Sequence, residues 1–401
     1  MNPILPPATL GLMGGGQLGR MTALAARSAG YRMHALDPDP NCAIRPVVED
    51  FITAGWDDAE AAANLAKSSK VVTFEIEKVS VASLEAASRH APVRPGPALL
   101  HLIQNRLRQK LWLARARFPV GPFRVARKWE DLRDASQELG PCFVKVAEGG
   151  YDGRGQIRLD SPEQAGSAWS FLGEIESVAE KALDLNYEVS VLVARRPSGE
   201  TRVYPPAMNQ HENQILVWSL IPAPIPESIT LQARELAREI AIALDLEGVL
   251  VVEMFVTQQG QLLVNELAPR PHNSYHASER ACLTGQFEQL VRAVCDLPLG
   301  SAEVIRPAAI VNLLGDLWAR PIPLDWTAAL RVPETRLHLY DKAPRPGRKM
   351  GHISATGSTP QEALKSAIRA QLALHGQEHT GAEELFATLL NRTKTIQEEV
   401  A

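Results

Sequence analysis

Residues 248–268 read GVLVVEMFVTQQGQLLVNELA, two apolar runs joined by Gln258, Gln259 and Gly260. Runs this long, rich in Val and Leu and broken by a glycine-bearing turn, predict an antiparallel hairpin with strands at 248–257 and 261–267. A turn centred between Gln259 and Gly260 sets opposite each other residues whose numbers sum to 519, and Glu253 and Glu266 meet that sum. Like charges directly opposite are destabilising, and the flanks V-V-E-M-F and L-V-N-E-L bury both carboxylates. A divalent cation resolves the conflict, with Asn265 as a third oxygen. Oxygen-only ligands suit magnesium bridging phosphates better than zinc. The plainer alternative is a surface pair with one member protonated.

Downstream, PRPHNSYH at 269–276 carries two histidines at i and i+4. They would make a metal pair only on a helix, which the prolines disfavour, so a polar loop contacting substrate is expected. Upstream, Lys145 closes an apolar strand at 141–146, and EGGYDGRGQ follows at 148–156. The glycines expose backbone N–H groups and Arg154 offers a fork of donors, which suits a nucleotide phosphate. A lysine at the end of a buried strand is costly unless it meets an anion. A flexible hairpin loop with a snorkelling lysine is the competing account. Further strands at 177–181, 187–195 and 202–204, a basic amphipathic helix at 99–117 and a long helix at 226–244 make this stretch α+β.

The first ninety residues alternate strand and helix. Strands are expected at 8–13, 31–36 and 71–74 and helices at 19–29 and 80–89, so a parallel sheet is predicted. GGGQLG at 14–19 stands between a strand and a helix, with Asp37 ending the next strand. This fits a phosphate or dinucleotide turn, or simply a tight turn that only glycine permits. The prolines of APVRPGP at 91–97 mark a boundary. After about residue 306 the chain turns strand-rich (308–314, 336–340) and ends in helical segments at 360–375 and 381–391. Between them YDKAPRPGRKMGH at 340–352 crowds four basic residues, Lys342, Arg345, Arg348 and Lys349, into eight positions. They form either an anion site or a solvated turn.

A chain of 401 residues is expected to hold two or three domains. A net charge of −4 argues against a nucleic-acid coat or a polybasic membrane binder. No apolar run reaches transmembrane length, and the first dozen residues do not make a signal peptide. Four scattered cysteines suit a reducing cytoplasm.

Five motifs in order, GGGQLGRM, FEIE, GGYDGRGQ, NELAPRPHNS and YDKAPRPGRKMGH, span about residues 8–352. Together they resemble the ATP-grasp superfamily, and within it the N5-carboxyaminoimidazole ribonucleotide synthetase family of purine biosynthesis. The resemblance implies a three-domain ATP-grasp fold, α/β and α+β. Its parts would be a Rossmann-like domain at 1–95, an ATP-grasp domain at 96–305 and a small β-rich domain with terminal helices at 306–401. Arg106 and Lys145 would contact the ATP phosphates. Gly150, Tyr151, Asp152, Gly153, Arg154, Gly155 and Gln156 would close over them. Glu180, Lys181, Ala182 and Leu183 match an adenine-reading hinge, Glu188 a ribose contact and His211 a further nucleotide contact. Glu253 and Glu266 would hold magnesium beside Asn265. Gln17, Leu18 and Glu75 match positions that hold the aminoimidazole ribonucleotide. Tyr151, Arg154, Lys342, Arg348 and Lys349 would hold its phosphate and the acyl intermediate. Asp152 and His272 would sit by the amine and carboxyphosphate, so Asp152, Arg154, His272 and Lys342 are the expected catalytic set.

The implied reaction joins bicarbonate to 5-aminoimidazole ribonucleotide at the expense of ATP, in a cytoplasmic homodimer. Tyr275 stands where relatives are expected to have glycine, and a bulky side chain there could reshape the pocket beside His272 and His276. The formate-dependent glycinamide ribonucleotide transformylases share the glycine turn and E-I-E but differ in the lid loop. Biotin carboxylase is usually longer. An NAD-dependent dehydrogenase explains residues 14–37 but neither the hairpin nor the basic cluster. A non-enzymatic nucleotide sensor is separated from an enzyme by ATP turnover.

Overall fold

The computed structural model describes residues 2–149, 155–319 and 323–374. The predicted lid residues Gly150, Tyr151, Asp152, Gly153 and Arg154 and the predicted helix at 381–391 lie outside the described residues.

The chain opens with a four-stranded parallel sheet, ordered Asp50–Thr53, Arg32–Asp37, Thr9–Met13, Val71–Phe74. Helices Gln17–Ser28, Ala59–Lys67 and Val81–Ser88 pack on it. Asp58 and Ser80 cap the second and third by accepting from the N–H groups of Ala61 and Ser83. The strands Thr9–Met13, Arg32–Asp37 and Val71–Phe74 follow the sequence expectation. Asp50–Thr53 and Ala59–Lys67 had no such signal, since a four-residue half-exposed strand has too few positions to show a period.

The stretch expected as one helix at 99–117 is two, Pro97–Ile103 and Arg106–Arg115. Asn105 separates them in an extended conformation, and its Oδ1 accepts from the Arg108 N–H at 2.9 Å. The break brings Arg106 to the first turn of a new helix, aimed into the centre of the molecule. Next comes a small antiparallel sheet, Phe123–Ala126, Ser177–Lys181, Cys142–Val146, Gln156–Leu159. Helices Trp129–Leu139 and Ala165–Phe171 cover one face with Leu132, Ala135 and Trp169.

The largest sheet runs Leu262–Ala268, Gly248–Thr257, Leu185–Arg195, Ala207–Glu212, Ile215–Ile221, Ala308–Leu314, Lys349–Thr356, Thr335–Leu339. Its strands are antiparallel to their neighbours. Ile215–Ile221 pairs with Ala308–Leu314, so one sheet carries the chain from the middle of the protein into its C-terminal part. Helices Glu227–Ala243 and Pro360–Ala373 bury Ile240, Ala241, Leu364 and Ile368 against it. One of the four basic residues of the cluster, Lys349, belongs to this sheet, where it begins the strand Lys349–Thr356.

Register in the decisive hairpin follows a different route from the symmetric one. Close to the turn Met254 pairs with Val264 and Val256 with Leu262, pairs that sum to 518, so the turn is centred on Gln259. The Gly260 N–H donates to Thr257 O at 2.9 Å, and Gly260 takes a φ of 74°, which glycine tolerates. A shift between Glu253 and Met254 then inserts Asn265 as an extra residue, and Glu253 does face Glu266. The expected pair is thus correct, but a bulge makes it so. Without Asn265 the odd residue, Glu253 would oppose another position and Glu266 would turn to the other face.

Candidate active site

Five cationic and acidic side chains from four elements meet at this hairpin. Glu180, on the small sheet, lies 3.3 Å from Lys145 Nζ, 3.2 Å from Lys110 Nζ and 3.2 Å from Arg106. The same Arg106 guanidinium reaches Glu266 Oε2 at 2.6 Å. Burial alone would raise the Glu180 carboxyl, but Lys145, Lys110 and Arg106 outweigh it and hold it well below the usual carboxylate range. Burial pulls Lys145 down to about 8, with Glu180 opposing the shift. Lys110 is also lowered by burial, and it is 2% exposed. Three cations therefore share two ionised carboxylates, and the surplus positive charge suits a polyphosphate.

Glu253 and Glu266 divide the conflict between them. Burial pushes Glu253 up to about 8, and the neighbouring Glu266 pushes the same way. Glu266 feels the same burial but is brought below its ordinary value by Arg106 and Lys145. One carboxylate is thus ionised and the other driven toward protonation until a cation arrives. Asn265 Oδ1 is buried and has no hydrogen-bond partner among the described residues, a cost that a ligated cation removes. Among the described residues no group of three or more His, Cys, Asp or Glu side chains gathers into a metal site. A cation here would rest on two carboxylates and an amide oxygen, a hard set that fits magnesium completed by phosphate oxygens.

The expected nucleotide contacts line the adjoining strands. Glu188 Oε2 lies 2.8 Å from His211 Nδ1, and this contact outweighs burial to raise the imidazole. Lys181 and Ala182 donate their N–H groups to Pro122 O at 2.9 Å and Pro141 O at 2.8 Å, so neither N–H is open to a nucleotide. The Glu180 side chain does not serve the hinge; it is the hub of the ion cluster. At the lid's far end Gly155 O accepts from the Val146 N–H, and Gln156 pairs with Lys145.

The glycine turn differs from a dinucleotide site. Gly16 and Gly19 N–H groups donate to the Glu75 carboxylate at 2.6 and 3.0 Å, and Gly15 N–H donates to Asp37 Oδ2 at 2.7 Å. The donors that would hold a pyrophosphate are already satisfied by the protein. The glycines are there for space, since a Cβ at Gly16 would stand 2.6 Å from Glu75 Oε1. Asp37, 5% exposed, is a structural acceptor rather than a ribose ligand. The NAD reading of residues 14–37 is therefore overturned.

Lys342 donates to Gln17 Oε1 and stands 5.6 Å over the Tyr340 ring. Lys342 and Arg270 both pull against the burial that raises Glu75. Gln17, Glu75 and Lys342 thus come together, 325 residues apart at the extreme. Leu18 instead packs its side chain with Met21, Phe287 and Tyr340. The basic cluster divides. Burial holds the His272 imidazole well below its ordinary value, and Arg270 and then Lys349 push the same way, whereas Arg348 donates to Ala343 O at 2.9 Å on a turn with exposed Arg345.

The P-R-P-H loop is irregular, with a short 3-10 turn at Asn273–Tyr275. His272 Nε2 lies 3.3 Å from Glu253 Oε1. His276 goes elsewhere, stacked on His352 with ring centres 4.6 Å apart and 1% exposed. Only one of the two histidines faces the site. Tyr275 does not reshape it. Its ring enters the core against Tyr204, and its hydroxyl lies 2.9 Å from Ser190 O and 2.8 Å from Pro205 O.

Several site residues escaped the sequence reading. Lys110 looked like one more charge on a basic helix. Arg270, whose Nε lies 3.1 Å from Glu77, ties the loop to the N-terminal sheet. Gln286, which holds the His272 backbone, lies outside every motif. The one available signal for Arg270 was FEIE, whose Glu77, just past the strand Val71–Phe74, is its partner.

Family models match three successive parts of the chain. They are the ribonucleotide synthetase preATP-grasp domain over residues 7–104, the ATP-grasp domain over 111–287 and the phosphoribosylaminoimidazole carboxylase C-terminal domain over 308–366. The N5-carboxyaminoimidazole ribonucleotide synthase of Bacillus subtilis is 40% identical over 353 residues, 88% of this chain and 92% of that protein. The Staphylococcus aureus N5-carboxyaminoimidazole synthetase solved with ADP superposes with a TM-score of 0.86 at 34% identity, covering 92% of this chain and 98% of that one. The Aspergillus clavatus synthase in complex with ADP and 5-aminoimidazole ribonucleotide gives 0.85 at 30%, over 92% and 99%. With the ion cluster, the bulged carboxylate pair and full-length likeness in agreement, the chain belongs to the N5-carboxyaminoimidazole ribonucleotide synthase family of ATP-grasp ligases.

Proposed function

We propose that the assembled site carboxylates 5-aminoimidazole ribonucleotide on its exocyclic amine, using bicarbonate, ATP and magnesium. The observation that carries this is the Glu253–Glu266 pair, one member ionised and one driven toward protonation, beside the buried and unpartnered Asn265 Oδ1. Glu253, Glu266 and Asn265 would hold the metal, which when bound neutralises charge on the transferring phosphoryl group. Arg106 and Lys145 bind the ATP phosphates, with Lys110 keeping Glu180 ionised between them. Lys181, Ala182 and Leu183 receive the adenine, and Glu188 and His211 the sugar side of the nucleotide. Gln17, Glu75 and Lys342 receive the aminoimidazole ribonucleotide, and Lys349 adds positive charge between the two substrates. Tyr151, Asp152 and Arg154 complete the set as lid residues.

The chemistry explains why both halves are needed. Bicarbonate is a poor electrophile. Transfer of the γ-phosphoryl group of ATP to a bicarbonate oxygen gives carboxyphosphate and ADP. The amine then attacks its carbon, a C–N bond forms, and inorganic phosphate leaves. Carboxyphosphate hydrolyses readily, so the site must exclude water. Buried cations that are already oriented stabilise the developing charge without reorganisation.

The test is coupled ADP release with bicarbonate, with and without the aminoimidazole ribonucleotide. ADP release that requires both substrates supports the proposal. Turnover with formate and glycinamide ribonucleotide, or none with bicarbonate, would sink it. Among the described residues no helix is long and apolar enough to cross a membrane. A homodimer acting in the cytoplasm is part of the proposal, and light scattering of the purified chain tests the dimer.

A further inference from the structure

His272 is held from two sides. Its Nδ1 lies 2.9 Å from Ser274 Oγ and 3.4 Å from the Ser274 backbone nitrogen. A backbone N–H can only donate, so Nδ1 is the acceptor. The side chains behind it run in the same sense. Asn209 Nδ2 donates to Ser190 Oγ at 3.0 Å, and Ser190 Oγ donates to Ser274 Oγ at 2.9 Å. That leaves the Ser274 hydroxyl proton for the imidazole. Ser190 and Ser274 are fully buried. The backbone of His272 is clamped as well. Gln286 Oε1 accepts from its N–H at 2.8 Å, and Gln286 Nε2 donates to its carbonyl at 3.0 Å. Both contacts require the amide to stand as it does.

A neutral imidazole with Nδ1 accepting carries its proton on Nε2. That atom is the one 3.3 Å from Glu253 Oε1. We propose that His272 is a positioning residue whose Nε2–H donates to Glu253 and aims that carboxylate at the cation, with Ser274 and Gln286 fixing the ring for the purpose. With Nδ1 engaged and Nε2 protonated, the ring has no lone pair left to act as a base on either substrate. Its service is to the metal carboxylate rather than to the amine or carboxyphosphate. This inference rests on Glu253 and Glu266 being the cation ligands.

The experiment reads manganese(II) binding by electron paramagnetic resonance in the full-length chain with ADP present, so no turnover is needed. Glutamine carries an amide N–H where Nε2 stood, and asparagine carries one where Nδ1 stood. His272→Gln is expected to bind manganese within about threefold of wild type, while His272→Asn binds roughly 10–100-fold more weakly. Equal affinity in the two variants, or wild-type affinity in His272→Asn, overturns the proposal. Should Glu266→Gln weaken binding while those two variants match, the ligand assignment survives and the positioning role fails. Unchanged manganese binding in Glu266→Gln would remove the ligand assignment and this inference with it. Nitrogen-15 spectra of histidine-labelled wild-type protein, with the His272 signals identified by their loss in His272→Gln, read the tautomer directly. The Nε2–H form is expected, and the Nδ1–H form overturns the proposal.

Discussion

The glycine turn at 14–19 and the carboxylate hairpin at 248–268 both look like ligand sites in the sequence, yet the protein completes only one of them itself. At the turn, Glu75 takes the N–H groups of Gly16 and Gly19, and Asp37 takes that of Gly15. At the hairpin, two carboxylates are pressed together and an amide oxygen is left without a partner. A motif records which groups are available, whereas the burial and pairing of those groups record whether anything is still missing. A ligand site is betrayed by what remains unsatisfied.

The largest expected effect separates the two glutamates of the hairpin. Glu266→Gln and Glu253→Gln should each reduce ATP turnover by at least about a hundredfold, as loss of charge stabilisation at a transferring phosphoryl group does. Their effects without metal should differ. Glu266 is the ionised partner of Arg106 at 2.6 Å, so its loss should lower the apo melting temperature. Glu253 is the carboxyl pushed up to about 8, so neutralising it should leave the apo protein as stable or more so. Thermal melts of both apo variants check this, and identical shifts would erase the asymmetry.

The next effect concerns a stacked histidine column, two of its three rings buried, that neither motif announced. His338, His352 and His276 stack with ring centres 4.5 and 4.6 Å apart, and Tyr340 OH lies 2.5 Å from His352 Nδ1. Burial pulls His276 to about 3 and His338 to about 4, and holds His352 well below its ordinary value. These rings stay neutral in the folded chain and bind protons on unfolding near an ordinary value of about 6.5. Their contribution is therefore full above about pH 6.5 and is lost as the pH falls toward 4. Each pH unit spent between the two values removes about 1.4 kcal/mol per imidazole. Urea titrations at pH 7.5, 6 and 5 should show unfolding free energy dropping steadily. A flat profile would contradict the neutral column.

A smaller effect tests the self-satisfied turn. Glu75→Gln keeps one acceptor but turns an NH2 toward a backbone N–H, which should cost about 1–3 kcal/mol. Urea denaturation measures that, and a neutral result would show that the N–H groups of Gly16 and Gly19 do not depend on Glu75. The smallest belongs to Tyr275→Phe. It deletes one buried hydroxyl facing the Ser190 and Pro205 carbonyls. The expected cost is about 1 kcal/mol of stability with ATP turnover unchanged. A changed KM for ATP would place Tyr275 in the site after all.

What could be read in advance follows from local chemistry. The strands at Thr9–Met13, Arg32–Asp37, Val71–Phe74, Gly248–Thr257 and Ala308–Leu314 and the helix Glu227–Ala243 show in the sequence because their period lies in adjacent residues. Strand Ala207–Glu212 did not, because its polar run Asn209–Glu212 hides the alternation, and the apolar run Ile215–Ile221 was passed over with it. The break at Asn105 was missed because an asparagine in a basic run gives no sign until its cap is seen.

The sequence alone determined the inventory: the two hairpin glutamates, Arg106, Lys145, the five motifs and their order. Those residues are chemically suited to one reaction wherever they end up. Only the tertiary structure decided their employment. It made the Asn265 bulge that sets Glu253 against Glu266, and it filled the glycine turn with Glu75. It turned Tyr275 into the core, sent His276 away from His272, and drew Lys110 into the ion cluster. The physical reason is range. Propensity and period act between neighbours along the chain, whereas burial, charge pairing and hydrogen-bond satisfaction act between groups that the fold brings together from far apart.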